Sequence, residues 1–373
     1  MNQTSRIIST YSADTFGVCS ALFELGGMTV MHDASGCNST YTTHDEPRWY
    51  DMDSMVYISA LSEMEAILGD DEKLIGDIVS AAEQLAPRFI AVAGTPIPAM
   101  TGFDFAAVAA LIEERTGIPA FGFATTGMNT YVHGASMALA ALAERFAEAR
   151  EKEEKTVNLL GLTPLDFSVN GSDGSMVEVL EKNGWRVRAR WAMGSSLEEI
   201  AASGGAAVNL VVSAGGLGAA KVLKRRFGTP YIVGVPYGKA WTARLLEALE
   251  TGVQPQMPEL DGGDIVLIGE GVTSLSLACA IELETGRSVK VICPTECDGA
   301  LLRKKDRLCR FEEEIEGALR GAKCIIADPL YRPICPAEAE FRALPAESFS
   351  GRIYREQIPN LVKDFDAFVK ELR

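Results

Sequence analysis

Short apolar runs alternate with amphipathic segments along almost the whole chain. Nine of the apolar runs are rich in β-branched residues and are followed by Gly, Pro or Asp, the pattern of strands buried on both faces of a sheet. They are MTVMHDA, RFIAVAG, PAFGFAT, TVNLLGL, AVNLVVS, TPYIVGV, GDIVLIG, SVKVICP and AKCIIAD. Segments between them, such as DDEKLIGDIVSAAEQLA, FDFAAVAALIEERTG, SDGSMVEVLEKNGW and SLSLACAIELETG, have helical periodicity. The alternation predicts an α/β protein with doubly wound, mostly parallel sheets.

Two composition changes divide this pattern into three units. The charged run ERFAEAREKEEK ends just before TVNLLGL, and the Pro- and Gly-rich segment ETGVQPQMPELDGGD precedes IVLIGEG. We therefore predict three Rossmann-like domains over residues 1–154, 155–259 and 260–373. Ligands of open parallel sheets bind at the carboxyl ends of the strands, so the loops that follow the strands are the place to look for chemistry.

The bulk composition narrows the class of protein. The chain has 373 residues, 47% of them hydrophobic, and a net charge of −16, which argues against nucleic acid and anionic membrane surfaces as partners. The first residues, MNQTSRIISTYSADTF, contain no apolar stretch, and the longest apolar run, residues 89–111, is broken by Pro, Gly and Asp. We expect a cytoplasmic protein without a membrane span. In that reducing compartment, its eight cysteines are expected to be thiols or metal ligands and not disulfides.

Two cysteines near the amino terminus carry the most information. Cys19 lies in YSADTFGVCSALFELGG, and Cys37 lies in a Gly-Cys loop after the strand MTVMHDA. A thiolate between a strand and the next helix faces backbone N–H groups that favour negative charge, which suits a ligand of an iron–sulfur cluster. An all-cysteine cubane needs four thiolates, and this region offers two. A two-fold axis would double them, so we predict a cluster shared between two subunits.

The order of several motifs resembles one known family. GVCSALFELGG, MTVMHDASGCNSTY, LSEMEAILGDDEKLIGDIVSAA, FIAVAGTPIPAMTGFD and GIPAFGFATTGMNTYVHG follow one another as in the first domain of the nitrogenase component 1 family. TVNLLGL, VEVLEKNGW and RRFGTPYIVGVPYG resemble its second domain, and the last domain matches only in general pattern. The resemblance implies a three-domain fold of Rossmann type. Members of the family include catalytic nitrogenase subunits, scaffolds for assembling their cofactors, and reductases of tetrapyrroles.

The resemblance also assigns the cysteines, with one departure. Cys19 and Cys37 fall where the family places its first two cluster ligands, but Thr95 and Pro96 stand where the third is expected. Two cysteines per subunit imply a single 4Fe–4S cluster bridging a homodimer or two closely similar subunits. The second predicted domain contains neither Cys nor His, and no His follows His133. The anchors of the iron–molybdenum cofactor therefore have no counterparts, and we do not expect dinitrogen reduction.

The resemblance implies the catalytic component of a two-component reductase. An ATP-dependent iron protein would be the electron donor, and the shared cluster would pass electrons to a small-molecule substrate. His32, His44 and Asp45 are the candidate proton or substrate contacts, although His32 also suits a structural hydrogen bond and His44 a solvated loop. Two alternatives remain open. One is a non-catalytic scaffold for metallocluster or cofactor assembly, and the other is a small-molecule-binding protein without a metal.

The third predicted domain holds the other six cysteines. Cys279 and Cys324 lie inside apolar elements and are expected to be core thiols. Four others, in loops at strand ends, leave a second metal centre or a soft ligand open; they are Cys293, Cys297, Cys309 and Cys335. Their spacing fits no zinc ribbon. In GEGVTSLSLA, the helix start offers N–H groups to an anionic ligand, and ordinary packing is the alternative.

Overall fold

The computed structural model describes residues 5–7, 13–34, 36, 38, 45–263 and 265–372. Within these residues the chain forms three β-sheets, and every strand pairing within them is parallel. Helices connect the strands, as parallel pairing requires. The predicted α/β class with parallel sheets is confirmed. The predicted domain boundaries themselves stay a prediction.

The first sheet and its helices occupy the amino-terminal part. The elements, in chain order, are α1 (Asp14–Leu22), β1 (Met28–Met31), β2 (Met55–Ile58), α2 (Glu63–Leu68), α3 (Asp71–Leu85), β3 (Ile90–Ala93), α4 (Pro96–Thr101), α5 (Phe105–Thr116), β4 (Ala120–Phe123) and α6 (Tyr131–Arg145). The strand order is β2-β1-β3-β4. The two central strands are buried along their whole length, which explains their uninterrupted apolar sequence.

The second sheet has the equivalent order, β6-β5-β7-β8. Its elements are β5 (Glu153–Leu160), α7 (Pro164–Phe167), α8 (Ser172–Lys182), β6 (Arg186–Arg190), α9 (Leu197–Ala201), β7 (Ala206–Val211), α10 (Leu217–Phe227), β8 (Tyr231–Val233) and α11 (Lys239–Thr251). Helix α6 packs against both α1 and α10, so it joins the first sheet's helices to those of the second.

The third sheet has five strands in the order β11-β10-β9-β12-β13. Its elements are β9 (Ile265–Ile268), α12 (Gly271–Thr285), β10 (Val289–Cys293), β11 (Arg307–Leu308), α13 (Glu312–Ala318), β12 (Cys324–Ala327), β13 (Glu340–Ala343), α14 (Glu347–Ser350) and α15 (Leu361–Lys370). Helix α12 packs on α11 and α15 packs on α8, which holds this part against the second sheet.

The apolar runs predicted the buried strands and missed four others. The nine predicted strands correspond to β1, β3, β4, β5, β7, β8, β9, β10 and β12. The four missed strands, β2, β6, β11 and β13, are all edge strands. An edge strand has one neighbour and is partly solvated, so its sequence mixes polar residues with apolar ones, as RVRAR in β6 does. Among the described residues, no helix is long and apolar enough to cross a lipid bilayer.

Candidate functional site

Cys19 lies on α1 and is completely buried. Its neighbours in the core are apolar and include Phe23, Met31 and Val56, with Trp49 packed against them. Burial, with the negative charge of Glu46, raises the pKa of the Cys19 thiol above its ordinary value, so this thiol is neutral. In a single chain the sulfur is therefore covered, and any ligand that it shares with a second copy requires the covering side chains to move.

The predicted partner of Cys19 is outside the described residues. Cys37 and His44 both fall there, so their roles stay predictions. Among the described residues, no group of three or more His, Cys, Asp or Glu side chains is arranged to hold a metal ion. Cys19 alone supplies one soft ligand in an apolar shell, which suits a buried iron–sulfur cluster but does not form a complete site.

His32 directly follows β1 and is held by two contacts. Its Nδ1 lies 2.9 Å from Oγ of Ser59, and its ring packs against that of Phe103 at a tilt of 43°, with the ring centroids 4.5 Å apart. Burial lowers the pKa of His32 to about 4. A neutral imidazole fixed in this way has no proton to give up as an acid near pH 7 in the state described, so its contacts agree with the structural alternative.

Asp45 links the amino-terminal part to the carboxyl-terminal part. Its carboxylate lies 3.5 Å from Nη1 of Arg352, and its backbone carbonyl accepts a hydrogen bond from Nη2 of Arg355 at 2.9 Å. Arg355 also donates to the buried carboxylate of Glu347, at 2.5 Å. These contacts tie Asp45 to an ion-pair network. Neither His32 nor Asp45 lines the cleft described next.

A cleft of about 80 Å³ lies between the second and third sheets. Its walls come from the loop after β5, the start of α8, the loop after β9 with α12, and two carboxyl-terminal loops. The lining is apolar and aromatic with hydroxyl groups and three carboxyl groups, and among the described residues it includes no Lys, Arg, His or Cys. The three acids are Asp166, Glu270 and Asp328.

Of the three acids, Asp166 has the pKa best suited to proton transfer near neutral pH. It accepts hydrogen bonds from the hydroxyl of Tyr131 at 2.5 Å and from Oγ1 of Thr163 at 2.9 Å. Burial and the negative charge of Glu270 raise the pKa of Asp166 to about 7. A carboxyl group that titrates near neutrality can hold a proton and release it at ordinary pH.

Glu270 faces the same cleft and is fixed by three backbone groups. Its carboxylate accepts hydrogen bonds from the N–H groups of Val272 at 3.0 Å and Thr273 at 2.9 Å, at the start of α12, and from that of Ala214 at 2.9 Å. Burial raises the pKa of Glu270 as well. The carboxylate of Glu270 therefore occupies the start of α12, the position where the sequence analysis left open an anionic ligand. Asp166 and Glu270 titrate as a pair.

Asp328 closes another wall. Its carboxylate accepts hydrogen bonds from N–H of Leu330 at 3.0 Å, N–H of Ala346 at 2.9 Å and Oγ of Ser350 at 2.8 Å. Burial raises its pKa. With three acids and no lining cation, the cleft disfavours anionic ligands and favours neutral or cationic ones.

The sequence did not single out these acids, although it contained a signal for them. Asp166, Glu270 and Asp328 each follow a strand that is central in its sheet, namely β5, β9 and β12. Acids after central parallel strands meet where ligands bind in such folds. Tyr131 had no comparable signal, because it comes from the start of α6 in a distant part of the sequence.

Comparison with known proteins places the fold among its relatives. The model of the family described as Nitrogenase component 1 type Oxidoreductase matches residues 15–261. The nitrogenase iron-molybdenum cofactor biosynthesis protein NifE of Bradyrhizobium diazoefficiens is 27% identical over 271 residues, which cover 63% of this chain and 49% of that protein. The nitrogenase molybdenum-iron protein alpha chain of Clostridium pasteurianum is 26% identical over 182 residues, 48% of this chain and 33% of that one.

The solved structures show the likeness over the whole chain. The structure titled Nitrogenase Cp1 at pH 6.5 superposes with a TM-score of 0.71 at 15% identity, covering 100% of this chain and 93% of that one. At this identity the likeness concerns the fold alone. The chain spans about half the length of the first curated relatives that it matches, between 49% and 60% of them.

Proposed function

The chain belongs to the nitrogenase component 1 type oxidoreductase family, and on that premise we propose that it is the substrate-reducing component of a two-component reductase. Its substrate is a neutral or cationic small molecule bound in the cleft between the second and third sheets. Asp166 supplies protons there. Electrons come from a separate ATP-dependent iron protein, by analogy with the family.

One observation carries this proposal. Asp166, with a pKa raised to about 7, lines the cleft, and its carboxylate accepts a hydrogen bond from the hydroxyl of Tyr131. Net reduction of an unsaturated bond takes up two electrons and two protons, and an acid that titrates near neutrality donates a proton efficiently. The backbone N–H groups around Glu270 fix the second carboxylate, which keeps the pair in place.

The proposed cluster site is Cys19 and Cys37 from each of two copies. A 4Fe–4S cluster bound there would supply single electrons. The part of the chain that surrounds Cys19 contributes an apolar shell, in which Met31 and Val56 exclude water. Burial of this kind tunes a cluster's potential and protects its thiolate ligands. The raised pKa of Cys19 means that binding such a cluster releases a proton from this thiol.

The experiment uses the full-length protein, reconstituted with iron and sulfide under anaerobic conditions. The iron protein and ATP should reduce the cluster, and the substrate should reoxidise it. Asp166→Asn should leave cluster reduction intact and slow substrate-dependent reoxidation by on the order of 100-fold, the usual share of a general acid. The control is Glu181→Gln, which changes an exposed acid of α8. Failure of ATP-driven electrons to reach the cluster would contradict the reductase.

A second candidate function is a scaffold for cofactor assembly, and the comparisons favour it more directly than the reductase. Six of the relatives found carry the name nitrogenase iron-molybdenum cofactor biosynthesis protein NifE. The cleft weighs against this function, because its described lining offers three carboxyl groups and neither a thiol nor an imidazole to hold an anionic metal cluster.

One measurement separates the two candidates. A scaffold would transfer its metallocluster intact to an acceptor apoprotein, and Asp166→Asn would not change the rate of that transfer. A reductase would keep its cluster through many rounds of oxidation by substrate. Iron and sulfide analysis of anaerobically purified protein tests the cluster that both candidates require. A protein without iron would contradict both and would support the third alternative, a small-molecule-binding protein without a metal.

A further inference from the structure

Two cysteines outside the proposed cluster site lie close together in space, at the end of a strand of the third sheet. Cys293 is the last residue of β10 and is buried, and Cys297 follows it in a loop and is partly exposed. The Sγ atom of Cys293 donates to the backbone carbonyl of Thr295, with the two atoms 3.4 Å apart. The loop thus folds back over the first thiol and brings the second one beside it.

The two sulfur atoms lie against the same glycine. A Cβ atom at Gly271 would be 2.5 Å from Sγ of Cys297 and 3.5 Å from Sγ of Cys293, so it would displace the first sulfur and contact the second. The two sulfur atoms therefore lie near each other on the same side of the start of α12, while each thiol donates to a backbone carbonyl, that of Thr295 for Cys293 and that of Asp298 for Cys297. Rotation of the two side chains away from these carbonyls can bring the sulfur atoms to bonding distance.

The loop between the two cysteines is anchored by the residues on either side of Cys297. The carboxylate of Glu296 accepts a hydrogen bond from the backbone N–H of Thr130 at 3.1 Å, and from the hydroxyl of the same residue. Asp298, just after Cys297, lies 3.6 Å from Nζ of Lys221. A loop that is already held has little conformational freedom left to lose when its ends are joined.

The surroundings of Cys293 and Cys297 favour an uncharged disulfide over a metal bound by two thiolates. Hydrogen bonding to Cys293, burial, and the negative charges of Glu270 and Asp298 raise the pKa of Cys297, so its thiolate is disfavoured. A bound soft cation would require two thiolates beside these acids, whereas a disulfide carries no charge. The described residues also offer no group of three or more metal-ligating side chains here.

We propose that Cys293 and Cys297 are a redox-active pair that closes to an intramolecular disulfide and reopens to two thiols. The oxidant is a small-molecule disulfide. The partly exposed Cys297 gives up its proton and attacks the oxidant as the thiolate, which forms a mixed disulfide and releases one small thiol; its raised pKa makes this step slow at neutral pH. Cys293 then displaces the second small thiol. Overall two thiols of the chain lose two electrons and two protons, and one disulfide of the oxidant becomes two thiols.

The test places both cysteines on one peptide. Trypsin cleaves after Lys290 and Arg303, so residues 291–303 form a single fragment that contains only these two cysteines. The full-length protein, purified anaerobically and reduced, is equilibrated with mixtures of oxidised and reduced glutathione, then alkylated with iodoacetamide and analysed by mass spectrometry. The expected fragment loses both alkylation sites and two hydrogen atoms, and dithiothreitol restores it.

Matched variants define the site. Gly271→Ala should slow closure about tenfold, because its Cβ displaces the sulfur of Cys297, whereas Gly299→Ala, which has no atom within 4 Å of its added Cβ, should close normally. Cys335→Ser should also close normally. Three outcomes would overturn the proposal: a fragment stalled with glutathione on Cys297 and an alkylated Cys293, a disulfide from either cysteine to another residue, or full alkylation at every glutathione ratio.

Discussion

Gly17 and Tyr131 are in backbone contact. A Cβ atom at position 17 would lie 1.9 Å from the carbonyl oxygen of Tyr131, and one at Gly134 would lie 1.8 Å from that of Asp14. Helices α1 and α6 therefore cross at a pair of glycines. This contact brings the helix of Cys19 against the helix whose first residue holds Asp166, and so connects the proposed cluster site with the cleft.

The first prediction concerns this crossing. Gly17→Ala should lower the free energy of unfolding by about 1–3 kcal/mol, because the two backbones must separate to accept the methyl group. Gly76→Ala on α3 is the control. It meets no atom within 4 Å, so it should raise stability by about 0.5–1 kcal/mol through reduced freedom of the unfolded chain. Chemical denaturation measures both, and equal effects would refute a close helix contact.

The second prediction is a loss of stability as the pH rises. The folded state holds a proton on Asp166 up to a pKa of about 7, whereas the unfolded chain releases it near the ordinary value of 3.8. Between these limits the folded state binds more protons, so stability falls with rising pH, by on the order of 4 kcal/mol for this group. Asp166→Asn should flatten this part of the profile, and an unchanged slope would show that Asp166 is ionised in the folded protein.

The third prediction is a loss of stability as the pH falls, the opposite of the second prediction. Burial lowers the pKa of His32 to about 4, below its ordinary value of 6.5. Between pH 4 and 6.5 the unfolded chain binds more protons at this residue than the folded protein does. The contribution of His32 to the free energy of unfolding is therefore complete above pH 6.5 and is lost as the pH falls towards 4. NMR titration of the His32 ring should show no protonation until about pH 4. A midpoint near 6.5 would mean that the ring is solvated and free to deliver protons.

The fourth prediction tests cluster ligation with two cysteines that are equally buried. Cys19 and Cys279 are both 0% exposed, so alanine at either position removes the same atoms from a closed core. Cys19→Ala and Cys37→Ala should abolish iron binding and weaken the dimer, and Cys279→Ala should leave the iron content unchanged. Equal iron loss in Cys19→Ala and Cys279→Ala would indicate general destabilisation rather than ligation.

The sequence predicted the interior of the protein better than its edges. Apolar runs located the central strands of all three sheets, because residues buried on both faces leave a continuous pattern. Cys279 and Cys324 were also expected to be core thiols, and both are buried. Four of the six described edge strands, β6 among them, gave no such pattern, since one side of each is partly solvated, whereas the edge strands β4 and β8 did.

The sequence by itself determined the fold class and the family, and it predicted that ligands bind at the ends of the parallel strands. These depend on local periodicity and on motifs that are contiguous in the chain. Only the tertiary structure decided that Tyr131 meets Asp166, that Glu270 lies beside it, and that Cys297 reaches Cys293 across Gly271. A carboxyl group's proton affinity and a thiol's neighbours depend on burial and distance, and folding alone brings such distant residues together.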